Sequence, residues 1–432
     1  MFYPKEILTR IKYFLSEKEG SRFKLNFVKV VKANSLTFGL SLLFYPLLTR
    51  LYTPTDFVVV TLFISLISIL SAFASLRFEW SVPNAASHTQ ATALIVAGFF
   101  MVVITTTTTF IVLKLFSSNW SFWRGFQVIS PYLLLIPIAL VGTSLQQLMQ
   151  SWFVREADLT AVSKAKITQS LISTILNSAC GILKYGALGL IVSSIVASWV
   201  GSSLLIRHAK GLRESLRKLP IIELKKSSLQ FGKDSVFSSV ASLINTMSLT
   251  ITPFLLAQFY NPKEVGWYAL AMRIALTPIG VFTSAIAQSF WAEAASLVKT
   301  DRVTLRRLYL RTSKRMAVFA IPVMGLCLLG PLYTEFIFGE VWANAGYILA
   351  ALTPQLFGQI VVSPLSHLIV HRKQHWQTLW DVARLTLLVM ALIIAGVMNL
   401  SIYLTILISS LIMLVMYAIL FNLNIIILIK KS

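Results

Sequence analysis

The segment from Ile402 to Ile429, with the sequence IYLTILISSLIMLVMYAILFNLNIIILI, contains no charged residue. It is longer than the roughly 20 apolar residues that an α-helix needs to cross the hydrocarbon core of a bilayer. Because lipid offers no hydrogen-bond partners, a backbone inside it must pair its own polar groups, and a helix does so within one segment. The segment therefore predicts a membrane-spanning helix.

Apolar segments of similar character recur along the rest of the chain, at residues 57–76, 91–113, 316–332 and 385–397. The composition agrees, because 56% of the 432 residues are hydrophobic and only 12% are charged. A soluble domain carries about 25% charged residues. We therefore predict an all-α integral membrane protein.

Twelve membrane spans are predicted from these apolar segments. They cover residues 27–48, 57–76, 91–113, 129–149, 167–183, 187–206, 235–259, 265–290, 316–337, 345–367, 379–398 and 402–429.

The positions of the basic residues predict the orientation of these spans. Of the 38 Lys and Arg residues, 31 fall on one side of the layout, mainly near the chain start and in residues 207–233 and 299–315. Basic residues concentrate on the cytoplasmic side of membrane proteins, so both termini are expected in the cytoplasm. The net charge of +22 then reflects topology rather than nucleic-acid binding.

Two turns resemble each other at an offset of 208 residues, YTPTDF at 52–57 and YNPKEV at 260–265. Both pair a proline with an acidic residue two positions later, which is typical of a helix start. Ala85-Ala86 and Ala294-Ala295 match at an offset of 209. So short a match is compatible with chance, but duplication is the favoured interpretation. An even number of helices per repeat predicts two parallel six-helix repeats.

The repeat and the charge pattern together divide the chain into four regions. Residues 1–26 form a basic amphipathic cytoplasmic segment, too long and too polar for the start of a cleaved signal peptide. Residues 27–206 and 235–432 form the two six-helix halves, and residues 207–234 form a basic linker. The linker charge is expected to face water and lipid headgroups rather than a specific ligand.

With these features in place, the sequence resembles the bacterial lipid-linked oligosaccharide flippases, including the O-antigen type, of the polysaccharide export family. This family is part of the multidrug/oligosaccharidyl-lipid/polysaccharide (MOP) exporter superfamily. The resemblance rests on PLLTRLYTPTD at 46–56, LRFEW at 76–80, FYNPKEVGWYALAMR at 259–273 with its continuation at 278–295, and residues 146–166. One departure is Val58, where members usually have the glycine that Gly266 keeps, so the first turn is expected to pack differently.

The resemblance implies a MATE-like fold and a cargo in which an oligosaccharide is joined by pyrophosphate to a polyprenol such as undecaprenol. Such proteins carry the cargo from the cytoplasmic to the periplasmic leaflet of the cell inner membrane for O-antigen or related polysaccharide synthesis. It also implies alternating access, coupling to an ion gradient, no cofactor, and contact with membrane lipids and other polysaccharide assembly proteins. A sugar and a charged pyrophosphate need a polar, cationic route through the hydrocarbon, which buried arginines would provide.

Arg273 is the leading candidate for this cationic route. It lies about two helical turns inside the eighth predicted span. An arginine at the middle of a membrane helix costs about 2.5 to 3.5 kcal/mol on insertion scales, so it should face a cavity or a partner. We expect a phosphate-binding role, with a structural ion pair as the alternative.

Three other arginines are weaker candidates for contact with the pyrophosphate. Arg77 lies next to Glu79 at the end of the second span, where the simpler interpretation is an interfacial pair whose side chains reach the headgroups. Arg50 ends the first span and is equally well explained as an interfacial anchor. Arg384 lies three residues after Asp381, and this spacing favours a local ion pair.

Ion coupling and sugar contacts would use other polar residues near the spans. A coupling ion needs a carboxylate at the membrane, and Asp381 and Glu293 are the acids closest to a span. Hydrogen bonds to sugars could come from amides, although polar side chains also hold membrane helices together. The amide candidates are Asn34, Asn177, Asn245 and Gln146, with Gln147, Gln150 and Gln288 as further members.

The sequence offers little support for a metal site, a disulfide or ATP hydrolysis. His371 and His375 have a metal-pair spacing, but no Glu lies between them and Arg372 and Lys373 would repel a cation. The only cysteines, Cys180 and Cys327, lie in distant apolar segments, and no phosphate-binding Gly-rich lysine motif occurs.

Two other functions compete with the flippase. A membrane polysaccharide polymerase or glycosyltransferase would need a sizeable polar extramembrane region, but the longest outer loops, around 115–128 and 337–347, are short. A multidrug or cation antiporter would need an acidic or aromatic cavity, whereas the charges within the predicted spans are mainly arginines. We therefore predict a transporter that is not an enzyme.

Overall fold

The computed structural model of the chain describes residues 43–115, 123–297, 302–366 and 374–429, together with residue 39. Within these ranges the regular elements are helices, and no β-strand occurs. The predicted amphipathic segment, most of the first predicted span, and the candidates Asn34 and His371 lie outside the described residues.

The helices up to the predicted linker are numbered in chain order. They are α1 (residues 43–51), α2 (Pro54–Ala74), α3 (Phe78–Ser81), α4 (His88–Leu115), α5 (Arg124–Ile129), α6 (Ile136–Arg155), α7 (Leu159–Ile182) and α8 (Gly186–His208). Two 3₁₀ turns, Val82–Asn84 and Ser130–Leu135, connect α3 to α4 and α5 to α6.

The remaining helices start within the predicted linker. They are α9 (Lys210–Arg217), α10 (Ile221–Thr250), α11 (Thr252–Phe259), α12 (Pro262–Leu297), α13 (Arg302–Leu328), α14 (Gly330–Phe338), α15 (Ala345–Ala351), α16 (Thr353–Val362), α17 (Gln374–Val397) and α18 (Ile402–Ile429). Glu340–Trp342 and Ser363–Leu365 form 3₁₀ turns. Residues 207–234, predicted as a linker, thus contain α9 and the first turns of α10.

Seven helical segments of the described chain are each long and apolar enough to cross a membrane, and the number rises to ten when three bent helix pairs count as single spans. These ten match every predicted span except 27–48 and 167–183 in position. The all-α membrane fold is therefore confirmed. Residues 167–182 lie in α7, which is helical but richer in polar side chains.

The start of α7 corrects one predicted boundary. The cytoplasmic crossing was expected to continue to Lys166, but Asp158 caps a helix that begins at Leu159. The Asp158 side chain accepts a hydrogen bond from the Ala161 amide at 3.2 Å, which satisfies a backbone donor at the helix end. Lys166 therefore lies inside a helix rather than in a loop.

Three predicted spans are bent. The bends measure 45° between α10 and α11, 63° between α13 and α14, and 53° where α15 gives way to α16. In each case a proline occupies the second residue of the following helix: Pro253, Pro331 or Pro354. Proline lacks the N–H that would continue the preceding helix, which explains the breaks.

The two turns at an offset of 208 residues have the same local structure. The Thr53 amide donates to Asp56 Oδ2 at 2.9 Å, and the Asn261 amide donates to Glu264 Oε2 at 3.0 Å. Pro54 and Pro262 are the first residues of α2 and α12. Matching residues therefore start the two helices.

A second matched pair of turns lies later in each half, at an offset of 215 residues. The Tyr185 amide donates to the Cys180 carbonyl at 3.0 Å, and the Leu400 amide donates to the Ala395 carbonyl at 3.1 Å. Lys184 and Asn399 have positive φ angles of 58° and 52°. Both turns are the six-to-one closure of a helix C-terminus.

The helices α2 and α12 pack against each other between the two predicted halves. They come into close contact at Gly266, where a Cβ atom would collide with the backbone carbonyl of Pro54. Its repeat partner Val58 is fully buried. The contact with Pro54 thus requires a glycine at position 266 in the second half. The first half has Val58 at the equivalent position.

Candidate functional site

Arg273 lies on α12 and faces the start of α2. Its guanidinium carbon is 5.2 Å from the centre of the Phe57 ring, within the range of a cation–π contact. Phe57 is itself fully buried and meets Trp342 edge to face at 4.8 Å. The Trp342 indole donates to the Thr49 carbonyl at 2.9 Å, so the aromatic support of Arg273 is fixed by residues from both predicted halves.

A cleft of about 290 Å³ opens between α2 and α12 beside Arg273. Its walls are mostly apolar, with three hydroxyl groups and one positive charge. The lining residues are Thr61, Ile64, Ser65, Ala269, Met272, Arg273, Leu276 and Thr277.

Three pairs of these lining residues are equivalent in the repeat. At the offset of 208 residues, Thr61 corresponds to Ala269, Ile64 to Met272 and Ser65 to Arg273. Equivalent positions on two repeats lie closest to each other at the axis that relates them. The cleft is therefore centred where the repeats meet, the location expected for a transport site in a repeat-built transporter.

The charge of Arg273 is not neutralised within the part of the chain that the structure describes. The ion pairs found there involve other residues. Thr277 donates to the Arg273 carbonyl at 2.6 Å, but this bond engages the backbone rather than the guanidinium. The structural ion pair weighed as an alternative for Arg273 is therefore not seen among the described residues.

Arg77 forms the expected local pair with Glu79. Their closest nitrogen and oxygen atoms are 3.7 Å apart, and the two side chains are 18% and 6% exposed. The Arg77 guanidinium also lies 4.3 Å from the Trp80 ring centre, and Glu79 accepts a hydrogen bond from Ser75. The pairing is confirmed, but its side chains are largely buried rather than extended toward the headgroups.

Asp381 and Arg384 form the pair that their spacing predicted. Arg384 Nη2 is 2.9 Å from Asp381 Oδ1, and both side chains are at most 5% exposed. The same Nη2 donates to Asn245 Oδ1 at 2.9 Å, and the guanidinium lies 4.5 Å from the Trp380 ring centre. The Trp380 indole in turn donates to the Met416 carbonyl at 2.7 Å. The pair therefore joins α17 to α10 and α18.

The remaining charged candidates are more exposed. Arg50 is exposed at the end of α1, and Glu293 is exposed near the end of α12. Neither contributes to the cleft beside Arg273.

The amide candidates separate into different environments. Gln146 is 8% exposed and donates to Gln169 Oε1 at 2.6 Å, and both side chains lie close to Gly201, so this pair holds α6, α7 and α8 together. Asn177 is half-buried, with Nδ2 3.4 Å from Ser173 Oγ. Asn245 is exposed and bonded to Arg384.

The residues of α2 that line the cleft carry no local signal in the sequence. Thr61 and Ser65 are uncharged and lie in an apolar span, so they were missed as candidates. The internal repeat could have identified Ser65, because it lies 208 residues before Arg273 and is therefore the equivalent position in the first half. The Thr61 hydroxyl has no hydrogen-bond partner among the described residues.

A second cleft of about 360 Å³ lies along α8 and contains none of the predicted site residues. Its lining residues are Ile195, Val196, Trp199, Val200, Ser203, Leu204 and Arg207. In the described ranges no group of three or more His, Cys, Asp or Glu side chains could hold a metal ion, and Cys180 and Cys327 are not joined.

Comparison with known proteins places this geometry in a family. Residues 47–346 match the model of a family described as polysaccharide biosynthesis protein. An uncharacterized membrane protein in the cps region of Klebsiella pneumoniae is 21% identical over 363 residues, which cover 80% of this chain and 71% of the relative.

Solved structures show a similar fold at low sequence identity. An inward-facing multidrug resistance MATE family transporter of the MOP superfamily matches with a TM-score of 0.64 and 15% identity, over 92% of this chain and 94% of its own. A MOP superfamily transporter from Pyrococcus furiosus matches with a TM-score of 0.63 and 15% identity, over 94% of this chain and 96% of its own. The MATE multidrug transporter DinF-BH matches with a TM-score of 0.65 and 15% identity, over 96% of this chain and 99% of its own. All three proteins are described as transporters.

The family match covers most of the chain, and the fold match covers nearly all of it. The chain therefore belongs to the polysaccharide biosynthesis protein family and is a multi-pass membrane protein with the fold of the MATE transporters.

Proposed function

We propose that this protein is a flippase that moves an oligosaccharide linked by pyrophosphate to a polyprenol, such as undecaprenol, across the bacterial inner membrane. The cargo would travel from the cytoplasmic to the periplasmic leaflet and supply O-antigen or a related surface polysaccharide. The observation that carries the proposal is the un-neutralised Arg273 in the cleft between α2 and α12. The family description supports the polysaccharide part of the proposal.

A cation in this position suits an anionic cargo. Its guanidinium can donate two parallel hydrogen bonds to phosphate oxygens, and a low-dielectric cleft strengthens each of them. The neighbouring hydroxyls of Thr61 and Ser65 could donate to the same anion or to a sugar. The polyprenyl tail would stay in the lipid, since the cleft is far too small for it.

Alternating access would then arise from motion of the two halves about the cleft. Helices α2 and α12 meet at the repeat axis, so a rocking motion changes which side of the cleft is open. Asp381 is the proposed site of ion coupling, acting through its pair with Arg384. Protonation or cation binding at Asp381 would release Arg384 and loosen the contact between α10 and α17. Arg77, Arg50, Glu293 and Asn177 remain proposed contacts along the route.

A multidrug antiporter is the competing function within the same fold. A cavity for cationic drugs should attract positive charge, but the cleft beside Arg273 contains no described carboxylate. This feature favours an anionic cargo.

Deletion of the gene in its host tests the proposal directly. The lipid-linked sugar is then located by adding a membrane-impermeant glycosidase or lectin to spheroplasts and to inverted vesicles. A flippase defect leaves single repeat units accessible only from the cytoplasmic face, and the intact gene restores export. Repeat units that are exported normally in the deletion strain would exclude the flippase function.

A further inference from the structure

Helix α7 is the most polar of the long helices in the first half. It spans Leu159–Ile182 and, unlike the other long helices of this half, is not apolar enough to form a hydrophobic membrane span. Its polar residues include Lys164, Lys166, Thr168, Gln169, Ser170, Ser173, Thr174, Asn177 and Ser178. A helix of this composition in a membrane bundle needs a polar neighbour or a water-filled space on one side.

One face of α7 is apolar and exposed. Leu171, Ile175 and Ile182 are 41%, 63% and 68% exposed, and their spacing of four and seven residues places them on one side. Exposed aliphatic side chains on the outside of a membrane bundle contact lipid. This face therefore fixes which way α7 is turned.

The other side of the helix carries a polar stripe, which we define as Lys166, Ser170, Ser173 and Asn177. These residues are spaced by four, three and four positions, so they lie on one side of the helix. At 3.6 residues per turn this side is about 150° from the lipid-facing residues. All four side chains are half-buried. The polar stripe thus points into the bundle but remains partly accessible.

The far end of the polar stripe is held in place by α1 and the turn that follows it. Tyr52 donates to the Asn177 carbonyl at 2.7 Å, and a Cβ atom at Gly181 would lie 2.9 Å from the Leu51 side chain. Within the stripe, Asn177 Nδ2 is 3.4 Å from Ser173 Oγ. The Asn177 Oδ1 atom is buried and has no hydrogen-bond partner in the described ranges.

The repeat shows what is unusual about Lys166. The turns after α7 and α17 match at an offset of 215 residues, and the same offset pairs Lys166 with Asp381 and Gln169 with Arg384. In the second half, Asp381 and Arg384 neutralise each other as an ion pair. In the first half Gln169 is bonded to Gln146, and Lys166 has no described carboxylate partner.

We infer that the polar stripe of α7 is a second anion-binding and sugar-binding site, in which Lys166 contacts a phosphate group of a lipid-linked saccharide. Ser173 and Asn177 supply hydroxyl and amide groups that hydrogen-bond to sugar hydroxyls. This inference rests on the proposed function and assigns to the first half a cationic contact that Arg273 provides in the second. Two contacts on separate helices would let the pyrophosphate pass from one to the other during transport.

Binding of undecaprenyl pyrophosphate to the purified full-length protein in detergent tests the inference, with uncharged undecaprenol as the reference lipid. The dissociation constant is expected to rise about tenfold or more in Lys166→Ala and in Lys166→Met, because a charge-assisted hydrogen bond is lost. Lys166→Arg keeps the charge and should stay within about threefold of the native protein. The matched control is Lys164→Ala, which removes a positive charge two residues away from an exposed position.

The outcomes separate this inference from the proposed function. Lys166 is excluded from anion binding if Lys166→Met is folded, as judged by an unchanged thermal midpoint without lipid, and binds like the native protein. If Lys166→Ala does not fold, the comparison of Lys166→Met with Lys166→Arg decides the same point. If native protein binds undecaprenyl pyrophosphate no better than undecaprenol, the proposed cargo itself is wrong.

Discussion

Ser65 and Arg273 occupy equivalent positions in the repeat and line the same cleft from opposite walls. One wall therefore presents a hydroxyl group and the other a guanidinium. A cleft on a repeat axis has two equivalent places for a cation, and this chain uses only one of them. The asymmetry gives the site a single charged wall.

Replacement of Arg273 is expected to impair transport without loss of the protein from the membrane. Hydrogen bonds to charged groups contribute about 1.5–3 kcal/mol, so Arg273→Ala should slow export of lipid-linked sugar roughly 10- to 150-fold. Arg273→Lys should restore part of the rate, because it keeps the charge but loses the forked donor geometry. Surface polysaccharide in the deletion strain, normalised to protein in the membrane, measures the effect.

The matched control for this prediction is Lys263→Ala. It removes a positive charge from an exposed position at the start of the same helix, α12. Its surface polysaccharide should equal that of the native protein. Normal polysaccharide from Arg273→Ala would remove Arg273 from the mechanism.

Moving the cation across the cleft should rescue transport in part. The double variant Arg273→Ser with Ser65→Arg exchanges the two equivalent side chains and keeps one positive charge in the same cleft. It should export more polysaccharide than Arg273→Ser alone. Equal export from the two variants would show that the position of the charge, and not only its presence, is essential.

The Asp381–Arg384 pair should be strongly coupled in stability. Removal of one partner of a buried ion pair typically costs about 3–5 kcal/mol, because the other charge remains buried without compensation. Asp381→Asn and Arg384→Gln should each lower the thermal midpoint of the purified protein, whereas the double variant should recover much of the loss. Additive losses in this double-mutant cycle would contradict the coupling.

Gly266 should not tolerate a side chain. A Cβ atom at this position would collide with the Pro54 backbone, so Gly266→Ala forces α2 and α12 apart at a cost of about 1–3 kcal/mol. Gly232→Ala is the control, because a Cβ there meets no atom within 4 Å and alanine favours helix by about 0.5–1 kcal/mol. Thermal unfolding of both purified variants compares them. A Gly266→Ala variant as stable as Gly232→Ala would mean that this contact adjusts easily.

Local features of the fold could be predicted because their causes lie within a few residues of each other. The bounds of α18 equal those of the apolar segment 402–429, since uninterrupted hydrophobicity in lipid leaves the backbone no alternative to a helix. The caps at Thr53 and Asn261 and the pairing of Asp381 with Arg384 also follow from short spacings. The bends were missed, because proline does not always break a helix: Pro278 and Pro322 lie inside continuous ones.

Hydropathy, helix caps and charge act locally, so the order of residues alone was enough to predict an all-α membrane protein, most of its helices and Arg273 as a candidate cation. The packing of the helices was needed to show that Ser65 lies opposite Arg273, that Gln146 bonds to Gln169, and that Lys166 is half-buried on α7. These relationships depend on how helices distant in sequence are turned and packed against each other. That choice is made by contacts across the whole bundle, which no short stretch of sequence contains.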